Sequence, residues 1–230
     1  MNAILTPSHI SVFHFARVCG LTNQTPSPDQ LLLALEELRK VQGNALLIGG
    51  LAVGHYGWER VTHDIDILYA HADGTILTRL KKYFKLEIKA KSGWHKFAHK
   101  KTGVRLELIP EGGLTTFGFI PGPKTVGGED GFISLFGLVW LKIVSGRLQD
   151  DADLANLCRV RLAEMEKIPE RLPEEHLRAR LIEIIAKAKR EIENDPGLQA
   201  EREHKAQEEA AAYGKSVKAK KKRAKASARS

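Results

Sequence analysis

Two aspartates separated by a single residue, Asp64 and Asp66 in the run "DIDILY", can do chemistry together if the backbone between them is extended. Side chains on a strand alternate faces, so the two carboxylates share one side while Ile65 and Ile67 point to the other. Like charges held that close raise each other's pKa unless a cation lies between them. A divalent ion is the natural partner, and Mg2+ suits an all-oxygen site that retains water and binds substrate phosphates. The plainer reading is a strand whose polar face meets water.

Thirteen residues separate Asp64 from a glycine pair, Gly49 and Gly50, in "LLIGGLAVGHYG". Glycines between a strand and a helix let backbone amides approach an anion without a Cβ in the way, although such turns also use glycine for steric reasons alone. A third acid, Glu107 in "VRLELIP", lies on a further candidate strand on the face opposite Leu106 and Leu108. It either completes a carboxylate trio or pairs with a lysine on a neighbouring strand. Arg60 and Thr62 precede the aspartates, where they could contact phosphate or order the loop. His55, His63, His95 and His99 lack the spacing of a shared metal site and read as surface or satisfied polar residues. Trp58 and Trp94 fit core packing better than base stacking.

The elements that must position these groups follow from pattern. "SPDQLLLALEELRKVQG" predicts a helix capped by Ser27, with Pro28 in its first turn, Gln30 completing a capping box and Gly43 ending it. A further short helix is expected over residues 8–18. "ALLIGG" reads as a buried strand, "LAVGHYG" as a helical turn or two, and "DIDILY" as a strand opened by the acids. A helix over "ADGTILTRLKKYF" precedes strands at "KLEIKA", "HKFAHK" and "VRLELIP", joined as antiparallel neighbours. Glycine and proline from Glu111 to Gly131 mark a long connection, and helices are expected at 132–145, 151–166 and 174–194. The fold class is thus α+β: a mixed, mainly antiparallel sheet flanked by helices, followed by a helical region. The expected organisation is an N-terminal helical segment 1–42, an α/β core 43–130, a helical region 131–196 packed on the core, and a disordered basic tail 197–230.

The chain's formal charge of +8 is concentrated in that tail, since Lys215 to Ser230 carries eight Lys/Arg and no acid and the remaining body balances at 28 against 28. The body therefore reads as neutral, and the tail as a flexible electrostatic attachment that could contact nucleic acid. Cys19 and Cys158 stand far apart with no CxxC spacing, so neither a zinc site nor a disulfide framework is indicated, and a reducing cytoplasm is expected. The start lacks a secretory pattern, and the most apolar run, "GFISLFGLVWL", is far shorter than the roughly 20 residues of a spanning helix. No membrane partner is expected.

That apolar run continues into Lys142, which must snorkel to solvent or meet an anion, either phosphate or an acid cluster. Downstream, Asp150 and Asp153 have the spacing of an acidic N-cap and its third-residue partner. Arg147 can pair with either, or reach phosphate by a forked contact.

Taken together, "IGG...DIDI" resembles the nucleotidyltransferase superfamily with the polymerase-beta-like fold. With "LKIVSGRLQDDADL", residues 44–160 are similar to small bacterial nucleotidyltransferase-like proteins related to abortive-infection toxins. The resemblance implies an enzyme that moves a nucleoside monophosphate from an NTP to an acceptor and releases pyrophosphate. Gly49 and Gly50 would hold triphosphate with help from Arg60 and Thr62, Asp64 and Asp66 would bind Mg2+, and Glu107 would be the third carboxylate, a ligand that helps activate the acceptor. Lys142 and Asp153 would belong to the active site. Candidate acceptors are tRNA, a protein hydroxyl or a small molecule, and an antitoxin protein is a candidate partner. Two other functions stay open: a non-catalytic NTP-binding or regulatory protein of the same fold, and an RNA-associated protein using its basic tail.

Overall fold

A computed structural model describes residues 26–41, 43–70 and 73–197. The expected helix at 8–18, Cys19 and the basic tail lie outside these residues. The first described element is helix α1 (Pro28–Leu38), whose N-terminus is built as its sequence requires: Ser27 Oγ accepts from Gln30 N at 3.3 Å, and Gln30 Oε1 accepts from Ser27 N at 2.8 Å. These bonds satisfy two amides that a helix start leaves without partners. The helix ends at Leu38, short of Gly43, with Arg39 as its last capping residue.

The sheet comprises β1 (Ala45–Leu47), β2 (Asp64–Tyr69), β3 (Phe84–Lys89), β4 (His95–His99), β5 (Arg105–Pro110), β6 (Gly128–Glu129) and β7 (Phe132–Ile133), in the spatial order β3-β4-β5-β2-β1-β7-β6. The expected antiparallel neighbours β3, β4 and β5 are present. β2 runs antiparallel to β1 but parallel to β5, and β7 runs parallel to β1. The class is therefore α+β with a mixed sheet.

One sheet face is closed by apolar side chains. Ile65 and Ile67 of β2, Leu106 and Leu108 of β5 and Phe97 of β4 have no exposed surface, each contributing about 1.5–3 kcal/mol by burial. His95 and His99 share this face and are buried, not surface residues. His99 is satisfied through Glu37 of α1 at 2.9 Å and Thr102 at 2.7 Å.

The remaining helices are α2 (Gly49–His55), α3 (Ile76–Leu80), α4 (Pro123–Val126), α5 (Leu135–Ser145), α6 (Leu148–Met165) and α7 (Glu175–Glu193). The helix expected from residue 132 starts three residues later. Phe132 and Ile133 are drawn into the sheet beside β1, and Ser134 caps α5 by accepting from Gly137 N at 3.1 Å. α6 likewise starts at Leu148, with Arg147 as N-cap, so Asp150 is an intrahelical residue of the first turn and not the expected cap. β6 and β7 form a hairpin across the expected boundary at 130/131. Among the described residues, those through Ile185 form one compact unit and those from Ala186 a second.

Candidate functional site

Register decides which acids meet. In the parallel pair β2–β5, Asp64 lies opposite Arg105 and Asp66 opposite Glu107. All four side chains therefore leave the sheet on the face away from Ile65 and Ile67. Asp66 has its ionised form disfavoured. Burial, then the charge of Asp64, then that of Glu107 push its carboxyl up to about 7 against the partial relief of Arg147 and Lys142.

Gly49 stands against this carboxylate. Its φ of +64° is a left-handed conformation that favours glycine, and a Cβ there would overlap Asp66 Oδ2. Gly50 makes a different close approach, since a Cβ there would meet the Thr62 hydroxyl at 2.7 Å and the Arg60 guanidinium at 3.0 Å. Thr62 is buried and donates to the carbonyl of Asp64 at 3.3 Å. It orders the entry to β2 and does not line the space above the acids.

That space is a cavity of about 310 Å³ whose floor carries Asp64, Asp66 and Glu107 and whose opposite wall is formed by α5 and the start of α6. Gly49, Arg60, Lys142 and Arg147 line it as well, whereas Gly50, Thr62 and Asp153 do not. The helical wall is an ion-pair network. Lys142, only 4 % exposed, donates to Asp150 at 2.9 Å and to Asp153 at 2.6 Å. The acid cluster that the sequence offered as a partner for this lysine is therefore in place. Arg147 grips Asp150 by a fork, Nε at 2.7 Å and Nη2 at 3.3 Å. Gln149 donates to Asp153 at 3.1 Å, and Arg60 Nε lies 3.1 Å from the same oxygen as a charge contact without an aligned hydrogen bond. Burial alone would raise Asp150, but the Arg147 hydrogen bond and the Lys142 charge outweigh it and hold the carboxyl at about 2.

Glu107 answers both readings offered by the sequence. It is on the acid face, yet its carboxylate is held by Lys96 Nζ at 2.6 Å and Trp94 Nε1 at 3.2 Å. Among the described residues, no three His, Cys, Asp or Glu side chains gather closely enough to enclose a metal ion. The fit to Mg2+ therefore rests on Asp64 and Asp66: an all-oxygen pair on one strand face, one member crowded by acidic neighbours, is a donor set that Mg2+ accepts when substrate phosphates and water complete its shell. Glu107 would join only by leaving Lys96.

Three residues outside the expected set belong to the site. Trp94, 37 % exposed, is not a core residue and lines the cavity beside Glu107. Its signal was the alternation Trp94, Lys96, Ala98 against His95, Phe97, His99, which puts the tryptophan on the polar face. Arg147 and Asp150 are the others, foreshadowed by their spacing from Lys142. Elsewhere, Cys158 is buried, and burial pushes its thiol up to about 12. Among the described residues, no helix is long and apolar enough to cross a membrane. No protein-family model matches the chain, and comparison with curated proteins gives no match.

Proposed function

We propose that this protein is a Mg2+-dependent nucleotidyltransferase, moving a nucleoside monophosphate from an NTP to an acceptor hydroxyl. One observation carries the reading: Asp66, between Asp64 and Glu107, faces a cavity whose other wall supplies Arg60, Lys142 and Arg147. Carboxylates that need a cation opposite cations that can meet phosphate are the two halves of a metal–triphosphate site. The bound cation would supply charge neutralisation on the phosphate oxygens and polarise the α-phosphorus.

The chain's own residues do the rest. Asp64 and Asp66 would hold the cation, and Gly49 leaves room for the Asp66 carboxylate to take that position. Arg60 and Arg147 would bind phosphate oxygens by forked contacts, with Lys142 as a fixed positive charge behind them. Glu107, fixed by Lys96 and Trp94, would orient the acceptor hydroxyl. The acceptor oxygen bonds to the α-phosphorus, the bond from that phosphorus to the oxygen bridging to the β-phosphate breaks, pyrophosphate leaves, and the hydroxyl proton passes to Glu107 or to water.

Incubation with α-phosphate-labelled NTP, Mg2+ and fractionated cell extract is the test. Wild type should label an acceptor and Asp66→Ala should not; equal labelling by the two would remove the site. A binding-only role is favoured by a different observation, that Lys142 and Arg147 are already engaged by Asp150 and Asp153. Calorimetric NTP binding with Mg2+ but no incorporation into any fraction would establish it.

A further inference from the structure

The balance of 28 basic against 28 acidic residues in the body hides a segregation. From Arg79 to Arg105 there are ten Lys/Arg and one acid, Glu87, leaving the rest of the body with a net charge of −9. That segment spans β3, β4 and the start of β5. Register sorts its side chains: Lys85 lies opposite Ala98, which lies opposite Arg105, and Ile88 lies opposite Lys96, which lies opposite Glu107. Lys85, Ile88, Lys96 and Arg105 thus stand on the same face as Asp64 and Asp66.

All four are exposed, Ile88 at 51 %, and Trp94 lies exposed between them and the cavity. At about 4.8 Å per strand, the face extends some 14 Å outward from β2. Among the other lysines of the segment, Lys100 donates to the carbonyls of Lys81 and Lys82, and Lys101 pairs with Glu37. Lys96 pairs with Glu107 at 2.6 Å but keeps a half-exposed side chain, so Lys85 and Arg105 are the main cations of the face. Lysine on the edge strand β3 has a structural use, since it discourages strand addition by another chain. That use does not extend to Lys96 and Arg105, which lie on interior strands and project from the sheet face.

We propose that the exposed face of β3–β4–β5 binds single-stranded nucleic acid, with Lys85 and Arg105 contacting phosphates, Lys96 adding positive charge from its pair with Glu107, and Trp94 stacking on a base. Cations spaced along a pleated surface with an aromatic platform match the two needs of a single strand, charge neutralisation and stacking. A duplex offers no exposed base face to Trp94. The inference does not depend on transfer chemistry, although a strand held there lies beside the carboxylates.

The test is fluorescence anisotropy of the full chain with a labelled twelve-nucleotide oligouridylate, the matching oligothymidylate and a duplex, at several salt concentrations without NTP or divalent cation. Lys85→Glu/Arg105→Glu should weaken single-strand binding at least about tenfold and lower the salt slope by roughly 0.7 for each phosphate no longer neutralised. Trp94→Ala should weaken it by about fivefold or more. Lys81→Glu/Lys89→Glu changes net charge equally, with Lys89 on the other face, and should have little effect. Equal losses from the two double variants would assign binding to bulk charge and overturn the proposal, as would tighter binding to duplex. Polyglutamate bound with the same sensitivity to Lys85→Glu/Arg105→Glu would replace nucleic acid by an acidic protein. The ratio of uridylate to thymidylate affinity identifies RNA or DNA as the source. Failure here leaves the transfer reading intact, and loss of labelling in Asp66→Ala leaves this binding intact.

Discussion

The two walls of the cavity treat their carboxylates in opposite ways. On the sheet, Asp66 is pushed up to about 7 because burial and two acidic neighbours outweigh the nearby cations; on the helices, Asp150 is held at about 2 because Lys142 and Arg147 bond to it directly. The difference is one of connection. Asp150 and Asp153 are bonded to cations within the protein, whereas Asp66 has two acids as its nearest charged neighbours. On the proposed reading, a cation would be taken up at the sheet wall, where nearby charges are acidic, and not at the helices, where Asp150 and Asp153 already have cationic partners.

Breaking the satisfied wall should have the largest effect. Lys142→Met leaves Asp150 and Asp153 buried without their shared ammonium, and should cost about 3–5 kcal/mol in urea unfolding; a loss under about 1 kcal/mol would show that Arg147 and Arg60 suffice. Sharpening the other wall is the next effect. Asp66 has a folded pKa above its unfolded value, so the stability it contributes is present below pH 3.8 and is lost as pH rises through about 7. Asp66→Asn should remove that loss, raising stability at pH 8 by roughly 2–4 kcal/mol while changing little at pH 4. Mg2+ should likewise stabilise wild type more at pH 8 than at pH 5. Asp150 runs the other way, its stabilisation present above pH 3.8 and lost as pH falls through about 2. The smallest effect is that of Gly49→Ala. A methyl group overlapping the Asp66 carboxylate, on a left-handed backbone, should cost about 1–3 kcal/mol and displace the acid. An unchanged urea midpoint would mean that the turn yields freely.

What the sequence made legible was local. The Ser27–Gln30 cap, the shared face of Asp64 and Asp66, and the antiparallel run β3–β4–β5 all follow from residues within one element or one turn. The parallel pairing that brings Glu107 level with Asp66 joins segments about forty residues apart, and no local pattern determines it. The misplaced start of α5 has another cause. An unbroken apolar run looks the same whether it enters a sheet or a helix, and Ser134, the residue that divides the two, is a signal only when read as a cap. The basic sheet face is invisible in the composition because summation over the whole body cancels charges that the fold separates.

Both walls grow from a single point. β1 and β7 are joined in parallel register through Leu47 and Phe132, and two residues beyond each lie Gly49, against the Asp66 carboxylate, and Ser134, the cap of the helix that carries Lys142. Phe132 is further clasped by the His55 ring, stacked at 4.3 Å and tilted by 5°. The gap between acids and cations is therefore gauged by a joint of a few residues, much as the jaws of a pair of tongs are set by their pivot, and slack introduced at Phe132 would be felt at both tips at once.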